Sequence, residues 1–270
     1  ASTWCWIIWA NNQSRNAWPG LVHRLERHRR GVGLTLLATL AAIALYVWVI
    51  LPAASSALAS NMPAYVERQV GQQTLTLLQS SGFSDGKLTP AQQQHIERLF
   101  NRVIPGEMKQ DAVPLRLKVM HFDGGANAFM LADGTLVVSD DLVRMAKSDD
   151  ALAAVMLHEI GHHHYRHPMR MLVRSSLISL SYMWLTGDVS GIGDTLLQSA
   201  AFVHQMQYSR GMEREADAYA IAQMKAQGRS LAAMAEIYGQ LQQAGEKESH
   251  GLSLPEWMST HPDMPERIKV

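Results

Sequence analysis

The chain reads as an α+β protein, mostly helical with a small sheet, preceded by one transmembrane helix. Three observations predict this. Gly31–Leu51 is an apolar stretch of 21 residues without a charge. Beyond it, apolar residues recur mainly at helical spacing between helix start signals. Only Leu115–Val119, Asn127–Leu131 and Thr135–Val138 alternate or pair like strands.

The bulk numbers set bounds. The chain has 270 residues and is 47% apolar, enough for one sizeable core and a membrane segment besides. Its net charge is zero, so there is no electrostatic footprint for nucleic acid. Cys5 is the single cysteine, which rules out an intrachain disulfide and a cysteine-held metal. Three parts emerge: residues 1–30 as a cytoplasmic N-terminal segment, 31–51 as the transmembrane helix, and 60–270 as one catalytic domain.

The first two parts go together. Arg15, Arg24, Arg27, Arg29 and Arg30 stand against Glu26 alone before the apolar stretch, a local +4. As a helix the stretch spans roughly 31 Å, close to the thickness of a bilayer's hydrocarbon core. Tyr46 and Trp48 lie near its end, where aromatic side chains favour the interface. Only Arg68 follows within about 20 residues, so the positive-inside rule puts the N-terminus in the cytoplasm and the body across the membrane. A cleaved leader is the competing reading, with Ala57-Leu58-Ala59 as its cleavage site, and a buried core helix is another.

The elements of the body follow in order. Pro63 opens a helix that ends near Gly82. Thr89-Pro90-Ala91-Gln92 is a capping box with proline at the first helical position, and Ile96, Leu99, Phe100 and Val103 follow at helical spacing. The three strands come next, with Asp133-Gly134 as the turn between the last two. Ser148-Asp149-Asp150 caps a helix whose acidic first turn suits its dipole. That helix carries His158-Glu159-Ile160-Gly161-His162. Further helices cover about 209–227 and 230–244. The apolar region from Ser175 to Tyr208 is interrupted by Asp188, Asp194 and glycines, and reads as a core element or a surface against the bilayer.

The chemistry is written on two of these helices. Residues four apart share a helical face, so His158 and His162 present two imidazoles to one point, as zinc ligation needs. Glu159 is placed to reach a metal-bound water and take its proton during attack on a peptide carbonyl. A third protein ligand is required. A glycine three residues after the second His and a histidine three further would supply one, but Tyr165 and Pro168 hold those positions. A cysteine ligand fails because Cys5 precedes the apolar stretch. A glutamate on a later helix remains, and Glu213-Arg-Glu-Ala-Asp217 fits. Glu213 would bind zinc and Asp217 would orient a ligand histidine. Glu215 points elsewhere and reads as a solvated charge. His163, His164 and His167 project off the ligand face and read as surface or second-layer residues.

At these residues the chain resembles metallopeptidase family forty-eight, which includes the HtpX-like, Oma-like and CAAX-prenyl-protease-like zinc endopeptidases. His158-Glu159-Ile-Gly-His162, Ser209-Arg210-Gly-Met-Glu213-Arg-Glu-Ala216-Asp217, and Ser259-Thr260-His261-Pro262 with Arg267 look like its three signatures, in family order. The resemblance covers about residues 60–270. It implies a gluzincin-type fold, one zinc ion per chain, and endoproteolysis of misfolded or membrane-associated proteins as protein and peptide substrates. It points to the bacterial single-anchor branch, in the inner membrane with the catalytic domain in the periplasm. It also implies that Asn127, Ala128 and Phe129 form an edge strand beside the cleft, where an extended substrate can add, although an ordinary hairpin accounts for them equally. His261 matches a loop histidine that approaches the metal, to block it or to stabilise the oxyanion; a structural His-Pro turn is the alternative. Arg267 reads as a structural anchor. A membrane-tethered chaperone or adaptor that retains the fold, and a latent protease held off by His261, are the two other functional readings.

Overall fold

A computed structural model describes residues 29–187, 208–248 and 261. The chain divides into two compact units, Ala1–Ala53 and Ala54–Val270. The apolar stretch is helical as α1 (Arg29–Leu45), one π-helical turn (Tyr46–Ile50) and α2 (Leu51–Ser60). Gly31–Ser60 is long and apolar enough to cross a membrane, with only 6% of its most apolar window buried. A core helix would be mostly buried, so that alternative does not describe it.

The second unit matches the expected α+β reading. Helix α3 (Ala64–Ser80) starts after Pro63. Strand β1 (Ser84–Asp85) precedes α4 (Pro90–Val103), where Thr89 and Gln92 make both bonds of the capping box. A short 3-10 turn (Gly106–Gln110) leads to β2 (Arg116–His121). Strands β3 (Ala128–Met130) and β4 (Thr135–Ser139) form the expected hairpin, and α5 (Asp140–Met145) follows directly. Gly134 turns that hairpin at φ +77, and a Cβ there would lie 2.7 Å from the Pro114 carbonyl oxygen, so glycine is needed twice over. Helices α6 (Asp149–His164), α7 (His167–Thr186), α8 (Arg210–Ala226) and α9 (Leu231–Glu248) complete the described elements.

The sheet order is β1-β2-β4-β3, with β2 and β4 parallel and the other pairs antiparallel. Strand β3 is therefore an edge. Both faces of the sheet are covered, and the alternation of side chains sorts them. Val119, Ala128, Met130, Leu136 and Val138 face the main core. Met120, Phe129, Leu131 and Val137 face a second cluster with Leu78 of α3, Phe83 and Phe122. Helix α6 runs through the main core, buried from Ala151 to His163. It packs against α8, α9, α4, α7 and β3. Burial all round explains why its apolar residues show no single stripe.

Helix α7 is absent from the sequence expectation, which had treated only Ser175 onward as an apolar region. Pro168 sits in its first turn, where a proline costs no hydrogen bond. Between α6 and α7, Arg166 adopts the left-handed region at φ 53. Such a conformation costs a non-glycine residue about 1 kcal/mol or more. Its guanidinium offsets that by donating to the carbonyls of Ala59 (2.9 Å), Ser60 (3.1 Å) and Met62 (3.4 Å), at and just beyond the end of α2.

Candidate metal centre

The centre is built where α6 crosses α8. Ser148 caps α6 by accepting the Ala151 N–H, and Ser209 caps α8 by accepting the Met212 N–H. His158 and His162 share a face of α6, and Glu213 and Asp217 share a face of α8. Gly161 sets how close the faces come. A Cβ at that position would lie 3.0 Å from the Ala216 Cα and 3.1 Å from its carbonyl oxygen. A side chain there would require α8 to give by a few tenths of an ångström.

Across the crossing, His158 Nε2 and His162 Nε2 lie 3.0 Å apart. Glu213 places one oxygen 3.4 Å from His162 Nε2 and the other 3.6 Å from His158 Nε2. All three side chains are buried. Asp217 Oδ1 lies 2.9 Å from His158 Nδ1 and accepts the Tyr238 hydroxyl at 3.2 Å. A carboxylate only accepts, so His158 carries its proton on Nδ1 and turns the Nε2 lone pair toward His162 and Glu213. Burial pushes the Glu213 carboxyl up, but His261, His162 and His158 outweigh it and hold it well below the usual carboxylate range. Burial pushes His162 well below the ordinary imidazole value.

This donor set fits a metal ion. A lone pair and an anionic carboxylate converging in a buried space repel unless a cation sits among them. Zinc bonds of about 2.0–2.1 Å set neighbouring ligand atoms about 3.3 Å apart, which matches the three separations. His261 joins the same layer. Its Nδ1 lies 3.1 and 3.2 Å from the Glu213 oxygens and 3.4 Å from His158 Nε2. Its Nε2 lies 3.4 Å from a Glu159 oxygen. His158, Glu159, His162 and His261 each bring one donor atom within 4.8 Å of the others, and all four are buried. The Tyr208 ring covers the far side, stacked on His162 at 3.8 Å. Burial, then Glu159 and Glu213, push its hydroxyl well above its ordinary value.

The structure thus brings together His158, Glu159, His162, Glu213, Asp217 and His261. It places Asn127, Ala128 and Phe129 at the edge strand packed on α6, all three buried. The Asn127 backbone pairs with Ser139, donating to its Oγ and accepting its N–H, both at 2.8 Å. Arg267 lies outside the described residues.

Two readings are refined: His167 takes the second-layer alternative, and Glu215 is exposed but paired. His167 is fully buried, with Nδ1 2.8 Å from His162 Nδ1, and burial pulls it down to about 4. Glu215 is not a free surface charge: it meets His167 Nε2 at 2.9 Å and Arg170 at 3.1 Å. The helical-wheel reading had extended α6 past His164. Arg166 reverses the chain and brings His167 back beneath His162. The usable signal was Pro168, which marks a new helix start. His163 is also buried, with Asp111 3.9 Å away, whereas His164 is exposed and stacks on Tyr219. Tyr208 and Tyr238 gave no sequence signal, since neither falls within a motif.

The model of Peptidase family M48 matches residues 90–270. Among curated proteins, the chain is 29% identical over 144 residues to the mitochondrial metalloendopeptidase OMA1 of Arabidopsis thaliana, covering 53% of this chain and 28% of that protein. It is 26% identical over 185 residues to the beta-barrel assembly-enhancing protease of Yersinia pestis, covering 64% and 37%. It is 26% identical over 175 residues to the OMA1 of Schizosaccharomyces pombe, covering 65% and 50%. The chain thus spans half or less of the length of these relatives. The family model takes in α4 through α9 with both motif-bearing helices, and the chain belongs to Peptidase family M48.

Proposed function

We propose that the chain is a zinc-dependent endopeptidase acting on misfolded or membrane-associated envelope proteins, held in a bacterial inner membrane by residues 31–51, with residues 60–270 as its periplasmic catalytic domain. The observation that carries this is the convergence of His158 Nε2, His162 Nε2 and the Glu213 carboxylate within 3.0–3.6 Å, with Glu159 beside them.

His158, His162 and Glu213 hold the ion. Bound zinc supplies Lewis acidity, lowering the pKa of a coordinated water to about 7. Glu159 is the base that takes the proton as the peptide carbonyl is attacked, and it returns that proton to the leaving amine. Asp217 fixes His158 through Nδ1, so Nε2 stays aimed at the metal. The edge strand around Asn127, Ala128 and Phe129 would take an extended substrate through the outward-facing backbone of Ala128, since Asn127 already pairs with Ser139. This suits an unfolded chain because backbone pairing ignores side-chain identity.

A second reading is favoured by His261. Its ring stands within contact of both Glu213 and Glu159, where a water and a scissile carbonyl need room. The resting enzyme is then latent, with His261 displaced when substrate arrives.

Bound zinc per chain and casein cleavage test both readings. Wild type should hold about one zinc and cleave, Glu213→Ala should lose both, and Glu159→Gln should keep zinc and lose cleavage. Cleavage at the wild-type rate by a zinc-loaded Glu159→Gln would remove Glu159 as base. Faster cleavage by His261→Ala supports latency, and slower cleavage assigns His261 to catalysis instead.

A further inference from the structure

His162 has its own support, separate from that of His158. His162 Nδ1 lies 2.8 Å from His167 Nδ1, and His167 Nε2 lies 2.9 Å from Glu215, which also pairs with Arg170 at 3.1 Å. His162 and His167 are fully buried, while Glu215 is half-exposed. The proton positions are determined by the far end. Glu215, paired with Arg170, only accepts, so His167 donates from Nε2. A neutral imidazole then keeps a bare Nδ1, which can only accept, so His162 donates from Nδ1. Its Nε2 is left as a lone pair facing His158 and Glu213.

We infer that His167 is a positioning residue for the metal centre: with Glu215 and Arg170 it forms a histidine-to-carboxylate relay that fixes the tautomer and ring orientation of His162. The inference rests on the zinc reading above and deepens it. The same job is done for His158 by Asp217 directly, at 2.9 Å. The two ligands are therefore held by unlike devices. A carboxylate touching an imidazole raises its basicity strongly, whereas an intervening neutral imidazole passes on less of that charge. His162 is thus the softer-held ligand of the pair. The relay also crosses from α6 through the Arg166 reversal to α7 and on to α8, so it locks the turn after the ligand helix as well.

The test is zinc affinity, measured by competition with a chelator on the full chain, for wild type, His167→Leu and His167→Asn. Asparagine can present its side-chain oxygen near the place of Nδ1, whereas leucine fills the space and accepts nothing. His167→Leu should bind zinc about 10- to 100-fold more weakly, the usual cost of losing a group behind a metal-ligating histidine, and His167→Asn should recover most of that loss. A leucine variant that binds zinc as tightly as wild type overturns the relay. So does equal weakening in both variants, which would mean that an acceptor in the place of Nδ1 is not what supports His162. A wild type that binds no zinc sinks the zinc-peptidase reading itself, and this inference with it.

Discussion

The two imidazoles at the centre of α6 differ in what stands behind them, and single substitutions should read that difference. Asp217 meets His158 directly and is steadied by the buried hydroxyl of Tyr238. Asp217→Asn can still offer a carbonyl oxygen to the His158 N–H but loses the charge. Zinc affinity should fall by about tenfold, measured by chelator competition, with Tyr238→Phe costing less because it removes only a neutral hydrogen bond. An unchanged affinity in Asp217→Asn would mean the carboxylate is there for packing alone. At this scale the sequence was legible wherever the spacing lay inside one helix. His158, His162, Glu213 and Asp217 all follow from the rule that residues four apart share a face. The rule fails at His167 because the helix it assumes has already ended. Glu215 is exposed as expected, but its pairing with His167 and Arg170 was hidden for the linked reason that His167 lies beyond the end of the helix.

Elements depend on closer fits than motifs reveal. The α6–α8 crossing rests on Gly161 against the Ala216 backbone. Alanine is favoured over glycine inside a helix by about 1 kcal/mol, so Gly161→Ala should stabilise α6 taken alone. Pushing α8 outward by a few tenths of an ångström should nonetheless reduce zinc content, because Glu213 rides on α8. A variant with raised thermal stability and full zinc content would show that the crossing has slack. A second junction depends on Asp140 at the start of α5. It accepts from the Lys87 N–H (3.0 Å) and Arg144 (3.1 Å) and meets His121 Nδ1 at 3.0 Å. Burial pushes its carboxyl up, yet these partners, His121 foremost, hold it below its ordinary value. A carboxylate whose pKa is depressed on folding stabilises the fold above its unfolded value, near 3.8, and the gain is lost as pH falls through the folded value. Asp140→Asn should cost about 1–3 kcal/mol at pH 7, and the deficit should shrink below about pH 4. Denaturant titrations at the two pH values check this; a deficit independent of pH would assign the effect to packing.

At the scale of the whole molecule, the order of the main elements and the β3–β4 hairpin were largely readable, because caps, the capping box and the Asp133-Gly134 turn are local signals; β1 and the parallel pairing of β2 with β4 carry no such signal. Helix α7 was not, since its start depends on the reversal at Arg166, a conformation no local rule expects of arginine. Helix also continues beyond the expected span of 31–51, to Ser60. That extension bears on the leader alternative. The Ala59 side chain is buried and its carbonyl accepts from Arg166, which makes the peptide bond after it a poor processing site. Full-length protein should therefore stay with membranes through alkaline carbonate washing and keep its N-terminal segment. Release of a chain beginning at Ser60 would overturn the proposed anchor.

The Gly161–Ala216 contact has one more consequence. A side chain at position 161 would meet the Ala216 Cα and carbonyl oxygen and the Tyr219 Cβ, so the crossing asks chiefly that residue 161 carry none. Among the described residues, the ligands and the groups behind them sit on α6, α8 and the first turn of α7, with Tyr238 added from α9 and His261 arriving separately. The centre is thus a portable module. Grafted together with the first turn of α7 onto another scaffold that crosses two helices equally closely, it should bring its own geometry with it. A chimera that exchanges only one of the two helices between relatives should keep the site where the close crossing and the groups behind His158 and His162 are both preserved.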